Sequence, residues 1–225
     1  MTKLKNHSIM NLLIQKEINI IDDLNLIIYK GNKVISLSGG TDSTLLLYLM
    51  LKYSDDDLIV LSRIFPYLHK KNLPLVTDIF QRVVALTGRR NAYQLLMYNP
   101  TAELNTANLA SQLNINILYT GMTQNPPEHV YNKWKFNTQF PDREIRRDAN
   151  FEKKNPIYYE QGILAYSPFI NYNKQIIKKI YEKENLMDTL FPFTNSCTDD
   201  ISSELYHCEN CWWCNERKWG FGRIN

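Results

Sequence analysis

The sequence predicts an α/β protein built on a doubly wound, mostly parallel sheet of five strands, with a small C-terminal subdomain. Two patterns lead to this prediction. Short β-branched and aliphatic runs alternate with amphipathic segments over residues 33–165, as they do when crossover helices join parallel strands. All four cysteines lie in the part of the chain that follows. We therefore expect an N-terminal lead-in over 1–32, a core domain over 33–165 and a C-terminal helical subdomain over 166–225.

Each predicted element follows from its hydrophobic period. Residues 9–14 indicate a short amphipathic helix, and 18–29 indicate an edge hairpin before the core begins. Strands are assigned to apolar runs bounded by turn-forming residues, and helices to segments with apolar residues three or four positions apart. The predicted core strands are 34–37, 58–62, 92–98, 115–120 and 162–169. The predicted helices are one that begins near residue 42, those over 74–86 and 100–113, and one that opens at 173.

The composition excludes several classes of protein. The chain has 225 residues, of which 44% are apolar and 22% charged, and these values are ordinary for a soluble globular protein. The net charge of +3 permits an anionic substrate but does not indicate nucleic-acid binding. No apolar run approaches the roughly 20 residues of a membrane span, and no signal peptide is evident. We expect a cytoplasmic protein that has neither a membrane nor a nucleic acid as a direct partner.

The most informative segment joins the first core strand to its helix over residues 38–43, which read Ser-Gly-Gly-Thr-Asp-Ser. The two glycines can take positive φ and let a ligand approach the backbone. Free amides and hydroxyl groups at a helix start form an anion site, for which a nucleotide phosphate is the obvious occupant. A Walker loop would need a Lys before Ser or Thr, and a dinucleotide fingerprint would need three spaced glycines, so neither fits. The segment resembles the pyrophosphate loop (PP-loop) of the ATP pyrophosphatase superfamily, which splits ATP between its α- and β-phosphates.

Further nucleotide contacts are predicted at the carboxyl ends of strands, where open parallel sheets bind ligands. The backbone at residues 61 and 62 is expected to meet the adenine, and Arg63 is a candidate phosphate or ribose contact. Gly121 is expected to allow close approach of the nucleotide beside the Thr120 hydroxyl. Lys174 opens a helix, where the dipole disfavours a cation unless an anion lies nearby. The predicted ATP-binding residues are Ser36, Leu37, Ser38, Gly39, Gly40, Thr41, Asp42, Ser43, Thr44, Leu61, Ser62, Arg63, Thr120, Gly121 and Lys174.

A long polar and aromatic connection follows over residues 121–160, and connections of this length are usually functional or mobile. We interpret it as a lid over the substrate pocket that supplies cations to phosphates or to a carboxylate. A solvated insertion whose charges pair with each other explains the same composition. Glu128 is the nearest carboxylate after Gly121 that could ligate Mg²⁺.

A cysteine cluster is the second strong pattern. Cys197, Cys208, Cys211 and Cys214 follow the spacing C-x10-C-x2-C-x2-C, which offers four thiolates to one metal ion with none left over. Zinc is the default, and a closed shell of four thiolates would be structural rather than catalytic. An iron–sulfur cluster is the alternative, because cysteines with this close spacing also occur in cluster proteins. His207 is a further candidate ligand, although its place beside Cys208 makes simultaneous use of both awkward.

Motifs in the C-terminal part add to the turn at 38–43. They are Ser167-Pro168-Phe169, Lys174, Thr194-Asn195-Ser196-Cys197, and the three closely spaced cysteines followed by Arg217. Together with the turn, these motifs resemble the 7-cyano-7-deazaguanine synthase family. The resemblance covers residues 33–53 and 163–222, and between them it extends only to the order of strands and helices. The sequence departs from the family at 99–100, where Asn-Pro replaces Arg-Asn, and after Gly121, where the superfamily often has Asp.

The resemblance implies an ATP-dependent carbon–nitrogen ligase. The carboxylate of 7-carboxy-7-deazaguanine attacks the α-phosphate of ATP, and pyrophosphate leaves into the turn. Ammonia displaces AMP to give the amide, and a second ATP-dependent activation dehydrates the amide to the nitrile. The resemblance also implies ATP, Mg²⁺ and Zn²⁺ as cofactors, with Asp42, Ser43 and Lys174 as catalytic residues. The aromatic C-terminal tail is compatible with a homodimer.

Three other functions remain open from the sequence. An amide-forming ligase that acts on a different acid would differ only in the substrate pocket. A tRNA thiolase would share the turn but would need a redox-active cysteine or an iron–sulfur cluster. A non-enzymatic zinc-knuckle RNA-binding module would need a stronger basic patch than this composition offers.

Overall fold

A six-stranded, mostly parallel sheet lies at the centre of the fold in the computed structural model, which describes residues 13–64, 69–98, 111–131, 134, 153–160, 163–197 and 207–224. The strands of this sheet are β3 (Lys33–Ser36), β4 (Leu58–Ile64), β5 (Ala92–Tyr98), β6 (Ile117–Tyr119), β7 (Ile157–Glu160) and β8 (Ile163–Tyr166). A separate two-stranded sheet pairs β1 (Ile14–Ile21) with β2 (Leu24–Tyr29). The helices are α1 (Thr41–Tyr53), α2 (His69–Thr87), α3 (Glu128–Tyr131), α4 (Lys174–Lys183) and α5 (Trp212–Phe221), with a 3₁₀ helix over Phe191–Phe193. The predicted α/β class is confirmed.

The strands follow the order β5-β4-β3-β6-β8-β7 across the sheet. Neighbours from β5 to β8 are parallel, whereas β7 pairs antiparallel with β8 at the edge. The chain therefore builds outward from β3 in one direction and then returns to the other side of β3 with β6. The order reverses between β3 and β6, and such a reversal opens a crevice beyond the carboxyl ends of the two strands.

Both faces of the sheet are apolar. Val34 and Leu118 belong to one buried cluster, while the next residues along their strands, Ile35 and Tyr119, belong to another. Since successive side chains of a strand point to opposite faces, the two clusters lie on opposite sides of the sheet. Burial on both faces explains why these strands read as continuous apolar runs rather than alternating ones.

Several elements differ from the sequence prediction. The sheet has six strands rather than five, because β7 forms an antiparallel edge strand within the segment that was assigned to a lid. Strand β1 begins at Ile14, which is the last residue of the helix predicted over 9–14, and residues 9–12 of that prediction lie outside the described residues. Strand β8 ends before Pro168, which has no backbone N–H to give to a sheet. Residues 100–110 of the helix predicted over 100–113 and half of the lid lie outside the described residues, while residues 111–112 are helical.

The hairpin β1–β2 is part of the core. Leu24, Leu26 and Ile28 alternate along β2, and all are fully buried. Tyrosine hydroxyls fasten the hairpin to the sheet, since the Tyr29 backbone N–H donates to the Tyr119 hydroxyl over 2.9 Å. Burial raises the pKa of Tyr119 above its ordinary value, so this hydroxyl keeps its proton.

The C-terminal elements pack on the core through aromatic rings. Phe191 of the 3₁₀ helix and Phe221 of α5 stack with their centroids 4.4 Å apart. Tyr181 of α4 meets both rings edge-on, at 5.9 and 5.7 Å. This contact brings α5 onto α4. Among the helices of the described ranges, none combines the length and apolar character needed to cross a bilayer.

Candidate functional site

The turn after β3 has the geometry of an anion site. Gly39 has φ +84°, a left-handed conformation that glycine adopts without strain. Gly40 is the N-cap of α1 in an extended conformation and, having no side chain, makes no capping bond to the free amides of the first turn. A helix leaves its first N–H groups without intrahelical acceptors, so these amides point out of the helix start. Ser38 is exposed, so the turn is open to solvent on one side.

Two serines and the neighbouring strand fix the shape of the turn. The Ser38 and Ser43 hydroxyls lie 3.0 Å apart, and the Ser43 hydroxyl also accepts from the Ser38 N–H over 3.2 Å. The Leu37 N–H donates to the Leu61 carbonyl over 2.8 Å. Pairing between β3 and β4 ends at Ser36 and Leu61, and β4 then continues beside β5 to Ile64. The turn thus leaves the sheet at the carboxyl edge, next to the strand-order reversal.

Gly121 meets the start of α1 at very short range. A Cβ at this position would stand 2.5 Å from the Ser43 nitrogen and 2.7 Å from the Asp42 carbonyl carbon. From the sequence, we expected Gly121 to allow close approach of a nucleotide. In the structure the close approach is between two backbones, and it locks the loop after β6 to the helix start. A contact between Gly121 and ATP stays a prediction.

A buried ion pair lies behind the turn. The Lys174 ammonium donates to Asp42 Oδ2 over 2.5 Å and to Thr41 Oγ1 over 3.1 Å. The side chains of Lys174 and Asp42 are only 5% and 13% exposed. The Thr123 hydroxyl also donates to Asp42 Oδ2, over 3.2 Å. The anion that the helix dipole requires beside Lys174 is therefore at least in part Asp42.

Two residues of this cluster were not found from the sequence. Thr123 lies in a loop, and nothing local marks it as a partner of Asp42. Tyr181 donates its hydroxyl to the Thr41 carbonyl over 2.8 Å, and burial raises its pKa, so it stays a donor. The i, i+7 spacing from Lys174 to Tyr181 places both residues on one face of α4, and this spacing is the sequence feature that could have identified Tyr181.

The remaining predicted ATP contacts surround the turn at different depths. The Thr120 hydroxyl forms hydrogen bonds with two other hydroxyl groups, those of Ser167 and Tyr158, and the Tyr158 oxygen lies 2.9 Å away. Ser62 is fully buried, and its hydroxyl has no hydrogen-bond partner within the described residues. Thr44 is likewise buried on α1, and Arg63 is half-buried near the end of β4.

The four cysteines come together as predicted. Their sulfur atoms all lie within 4.8 Å of one another, with Cys208 and Cys214 3.9 Å apart and Cys197 and Cys211 4.0 Å apart. Four sulfurs about 2.3 Å from a tetrahedral zinc would be about 3.8 Å from each other, so the cluster fits such a metal. The Cys208 N–H points to Cys197 Sγ at 3.4 Å, and the Cys211 N–H points to Cys208 Sγ at 3.3 Å. Four cysteines in this arrangement could hold a metal ion such as zinc.

The surroundings of the cluster favour thiols when no metal is bound. Its hydrogen bond with Cys197 raises the pKa of Cys211 to about 12. Contacts with Cys197 and Cys211 also raise the pKa of Cys214. His207 Nδ1 lies 3.7 Å from Cys214 Sγ, and burial, followed by the charge of Arg217, lowers the pKa of His207 to about 4. His207 is thus neutral at pH 7 and stands beside the four sulfurs rather than among them.

Arg217 connects the cysteine cluster to the segment before Cys197. It is fully buried, and its guanidinium donates to Thr194 Oγ1 over 2.7 Å and to the Phe191 carbonyl over 3.0 Å. The same group lies 3.9 Å from the centroid of the Phe191 ring. Burial lowers the pKa of Arg217 to about 10, which still leaves it a cation at neutral pH.

The segment held by Arg217 reaches the turn. The Asn195 N–H donates to the Gly39 carbonyl over 2.9 Å. Ser196 Oγ lies 3.5 Å from the place where a Cβ on Gly40 would stand. The turn and the cysteine cluster, which are distant in sequence, are thus neighbours in the fold.

Residues 121–131, 134 and 153–160, half of the predicted lid, lie within the described part of the chain. Glu128 is exposed on α3, and Trp134 meets Trp212 of α5 edge-on with centroids 5.1 Å apart. Glu128 as a magnesium ligand stays a prediction.

No protein-family model matches this chain, and no curated protein matches it.

Proposed function

We propose that this protein is an ATP-dependent carbon–nitrogen ligase that converts 7-carboxy-7-deazaguanine to 7-cyano-7-deazaguanine through an acyl adenylate. One observation carries the proposal: a Ser-Gly-Gly turn with uncapped helix amides lies at the strand-order reversal, and a four-cysteine tail contacts it. A strand-order reversal is where α/β sheets bind nucleotides. The doubly wound PP-loop architecture is part of this proposal.

The turn supplies the site for pyrophosphate. In the first step a carboxylate oxygen of the substrate attacks the α-phosphorus, and the bond between the α-phosphorus and the bridging oxygen breaks. Negative charge then grows on the departing pyrophosphate, which the helix amides and the Ser38 and Ser43 hydroxyls would stabilise. Donors that are fixed before the reaction need no rearrangement in the transition state, and the bonds between Ser38 and Ser43 fix them.

Asp42 and Lys174 balance charge beside the turn. A carboxylate at a helix start would repel phosphates, but Lys174 neutralises it at 2.5 Å. Asp42 Oδ1, which accepts from the Thr41 hydroxyl over 3.1 Å, would be the oxygen that holds Mg²⁺ through water. Bound magnesium would supply additional positive charge to the leaving phosphates.

The later steps need ammonia and a dry pocket. Ammonia attacks the acyl carbon, AMP leaves, and one proton is released as the amide forms. The amide oxygen then attacks the α-phosphorus of a second ATP, and pyrophosphate leaves. AMP departs with that oxygen, and loss of both N–H protons yields the nitrile. The choice of 7-carboxy-7-deazaguanine rests on the resemblance of residues 163–222 to the synthase family. Zinc held by four thiolates would be structural and would keep the tail against the turn.

One experiment tests the activity. The purified protein is incubated with ATP, Mg²⁺, ammonium and 7-carboxy-7-deazaguanine, and products are identified by mass spectrometry. We expect AMP, pyrophosphate or its hydrolysis product, and the nitrile. The variant Asp42→Asn should lose the activity, whereas Asp57→Asn, the same change on an exposed residue in the loop between α1 and β4, should keep it.

Other outcomes redirect the proposal. AMP release that depends on a different acid would assign an amide-forming ligase with another substrate. AMP release that depends on tRNA and a sulfur donor would assign a thiolase. Absence of ATP binding and of AMP release would refute ligase chemistry of either kind.

A further inference from the structure

We propose that Asn195 and Gly220 are positioning residues that couple metal binding at the four cysteines to the shape of the phosphate turn. The functional meaning of this coupling rests on the proposed ATP site. The coupling itself concerns only residues of this chain and can be measured without a nucleotide. Two separate contacts connect the cluster to the turn, and they reach its two ends.

The first contact runs along the chain from Cys197. The Cys197 N–H donates to Asn195 Oδ1 over 2.7 Å, which folds these residues into a tight turn. The Asn195 N–H is then directed to the Gly39 carbonyl, 2.9 Å away. Gly39 has φ +84°, and the orientation of its peptide groups decides where the following amides point. A cysteine of the cluster therefore lies two residues from the group that holds the start of the phosphate turn.

The second contact runs along α5. This helix begins beside Cys211, includes Cys214 in its first turn and reaches Gly220 near its other end. A Cβ on Gly220 would stand 2.2 Å from Lys174 Cβ and 3.1 Å from the Lys174 carbonyl carbon, so the two helices touch at this glycine. Lys174 in turn bonds to Asp42 at 2.5 Å, in the first turn of α1. The cluster therefore also sets the position of the cation behind the turn.

Metal binding should tighten both contacts together. A tetrahedral ion would tie Cys197 to the three cysteines at the start of α5, so the two routes would become one rigid unit. Without the ion, the described contacts between Cys197 and this group are hydrogen bonds that involve sulfur, at 3.4 and 4.0 Å. By linkage, a ligand that binds the ordered turn must strengthen metal binding by the same factor.

Amide hydrogen exchange tests the coupling directly. Exchange is measured on the zinc-loaded protein and after zinc is removed with a chelator. We expect the hydrogen-bonded amides of the turn, those of Ser38, Gly40 and Thr44, and the amide of Asn195 to exchange about tenfold faster without zinc, within the usual range of coupling between sites. Amides of the hairpin β1–β2, which makes no contact with the cluster among the described residues, should not change. Unchanged exchange of the turn amides, with faster exchange only around the cysteines, would overturn the proposal.

Substitutions separate the coupling from the integrity of the metal site. Asn195→Pro removes the N–H that bonds to Gly39, and Thr194, with φ −84° and ψ 143°, has the conformation that must precede a proline. Asn195→Ala is the matched control: like proline it lacks the side-chain oxygen that accepts from the Cys197 N–H, but it keeps the backbone N–H that bonds to Gly39. Gly220→Ala is an independent test, because its methyl group would separate α5 from Lys174.

The expected results differ between the metal site and the turn. Each variant loaded with Co²⁺ should keep the visible absorption of a tetrahedral thiolate site. In Asn195→Pro and Gly220→Ala the turn should exchange fast even with zinc bound, whereas Asn195→Ala should keep its zinc-dependent protection. If Asn195→Pro and Gly220→Ala both behave like Asn195→Ala, the two residues do not transmit the coupling and the proposal is wrong.

A nucleotide arm distinguishes this proposal from the proposed function. Zinc transfer to a coloured chelator is timed with and without ATP, and equilibrium dialysis measures ATP binding. About tenfold slower transfer with ATP supports both proposals. ATP binding with an unchanged transfer rate refutes the coupling and leaves the ATP site standing. Zinc-dependent protection of the turn in a protein that binds no ATP refutes the proposed function and supports the coupling.

Discussion

The substitution Lys174→Met should be among the most destabilising single changes near the turn. Methionine has a similar length but no charge, so the Asp42 carboxylate loses its counter-ion while its side chain is only 13% exposed. Removing one partner of a buried ion pair costs about 3–5 kcal/mol. The Thr41 and Thr123 hydroxyls still donate to Asp42, at 3.1 and 3.2 Å, and reduce the loss. We expect the free energy of unfolding to fall by about 3 kcal/mol.

Urea unfolding of the zinc-loaded protein measures this loss, and a double-mutant cycle identifies its cause. Asp42→Asn should also destabilise, because it leaves the buried Lys174 ammonium without a counter-charge. The double variant removes both charges and should recover about 2 kcal/mol relative to the sum of the single changes. A loss below about 0.5 kcal/mol for Lys174→Met, or strict additivity, would show that the pair is not the buried interaction described here.

Three further predictions concern the turn, a second ion pair and the cysteines. Gly121→Ala should lower the free energy of unfolding by about 3 kcal/mol, because its methyl group would meet the backbone of α1. Gly40 has φ −75°, and a Cβ there would meet no atom nearer than 3.5 Å. Gly40→Ala should therefore change the free energy of unfolding measured in urea by no more than about 0.5 kcal/mol, yet weaken ATP binding in dialysis. Burial alone would raise the pKa of Asp56, but hydrogen bonds with Lys33 and two other side chains outweigh burial and lower this pKa. The contribution of Asp56 to stability should therefore be full above about pH 4 and be lost as pH falls through the folded pKa. Asp56→Asn should cost about 2 kcal/mol at pH 7, below the value for a fully buried pair because Asp56 is 33% exposed, and pH-dependent unfolding should show a flatter acid limb. Zinc binding at pH 7 should release protons and tighten as pH rises, because the thiol pKa of Cys211 is about 12, and calorimetry in buffers of different ionisation enthalpy measures this release.

Local patterns in the sequence predicted the parts of the fold that depend on neighbouring residues. The strand–turn–helix over residues 34–50 follows from its apolar runs and paired glycines, and the cysteine cluster follows from spacing alone. The hairpin over 18–29 was also predicted, although its burial against the sheet was not. These features share one property, which is that their determinants lie within about a dozen residues of each other or carry distinctive chemistry.

The parts that the sequence did not predict depend on contacts between distant segments. The partner of Lys174 was inferred to be an anion, but its identity as Asp42 depends on how α4 packs against α1. Gly121 was assigned to a ligand because glycine permits close approach of any group, and only the fold shows that the group is the backbone of Ser43. Strand β7 is four residues long in a polar region, so no periodicity distinguished it from a loop.

The contact between Asn195 and Gly39 also depends on segments that are distant in sequence. Asparagine before a serine and a cysteine suggests a local turn, and that turn is present through its bond with the Cys197 N–H. Its own N–H, however, donates to the carbonyl of Gly39, which is distant in sequence. No one-dimensional pattern contains that information.

Exchange of labelled pyrophosphate into ATP reports on the first chemical step that we propose. In that step, the turn at residues 38–43 holds pyrophosphate while a bound acid takes AMP. With 7-carboxy-7-deazaguanine and Mg²⁺, and without ammonia, the account predicts incorporation of labelled pyrophosphate into ATP, which Asp42→Asn abolishes and Asp57→Asn preserves. Exchange that proceeds equally in Asp42→Asn, or no exchange and no ATP binding in the native protein, would contradict the account.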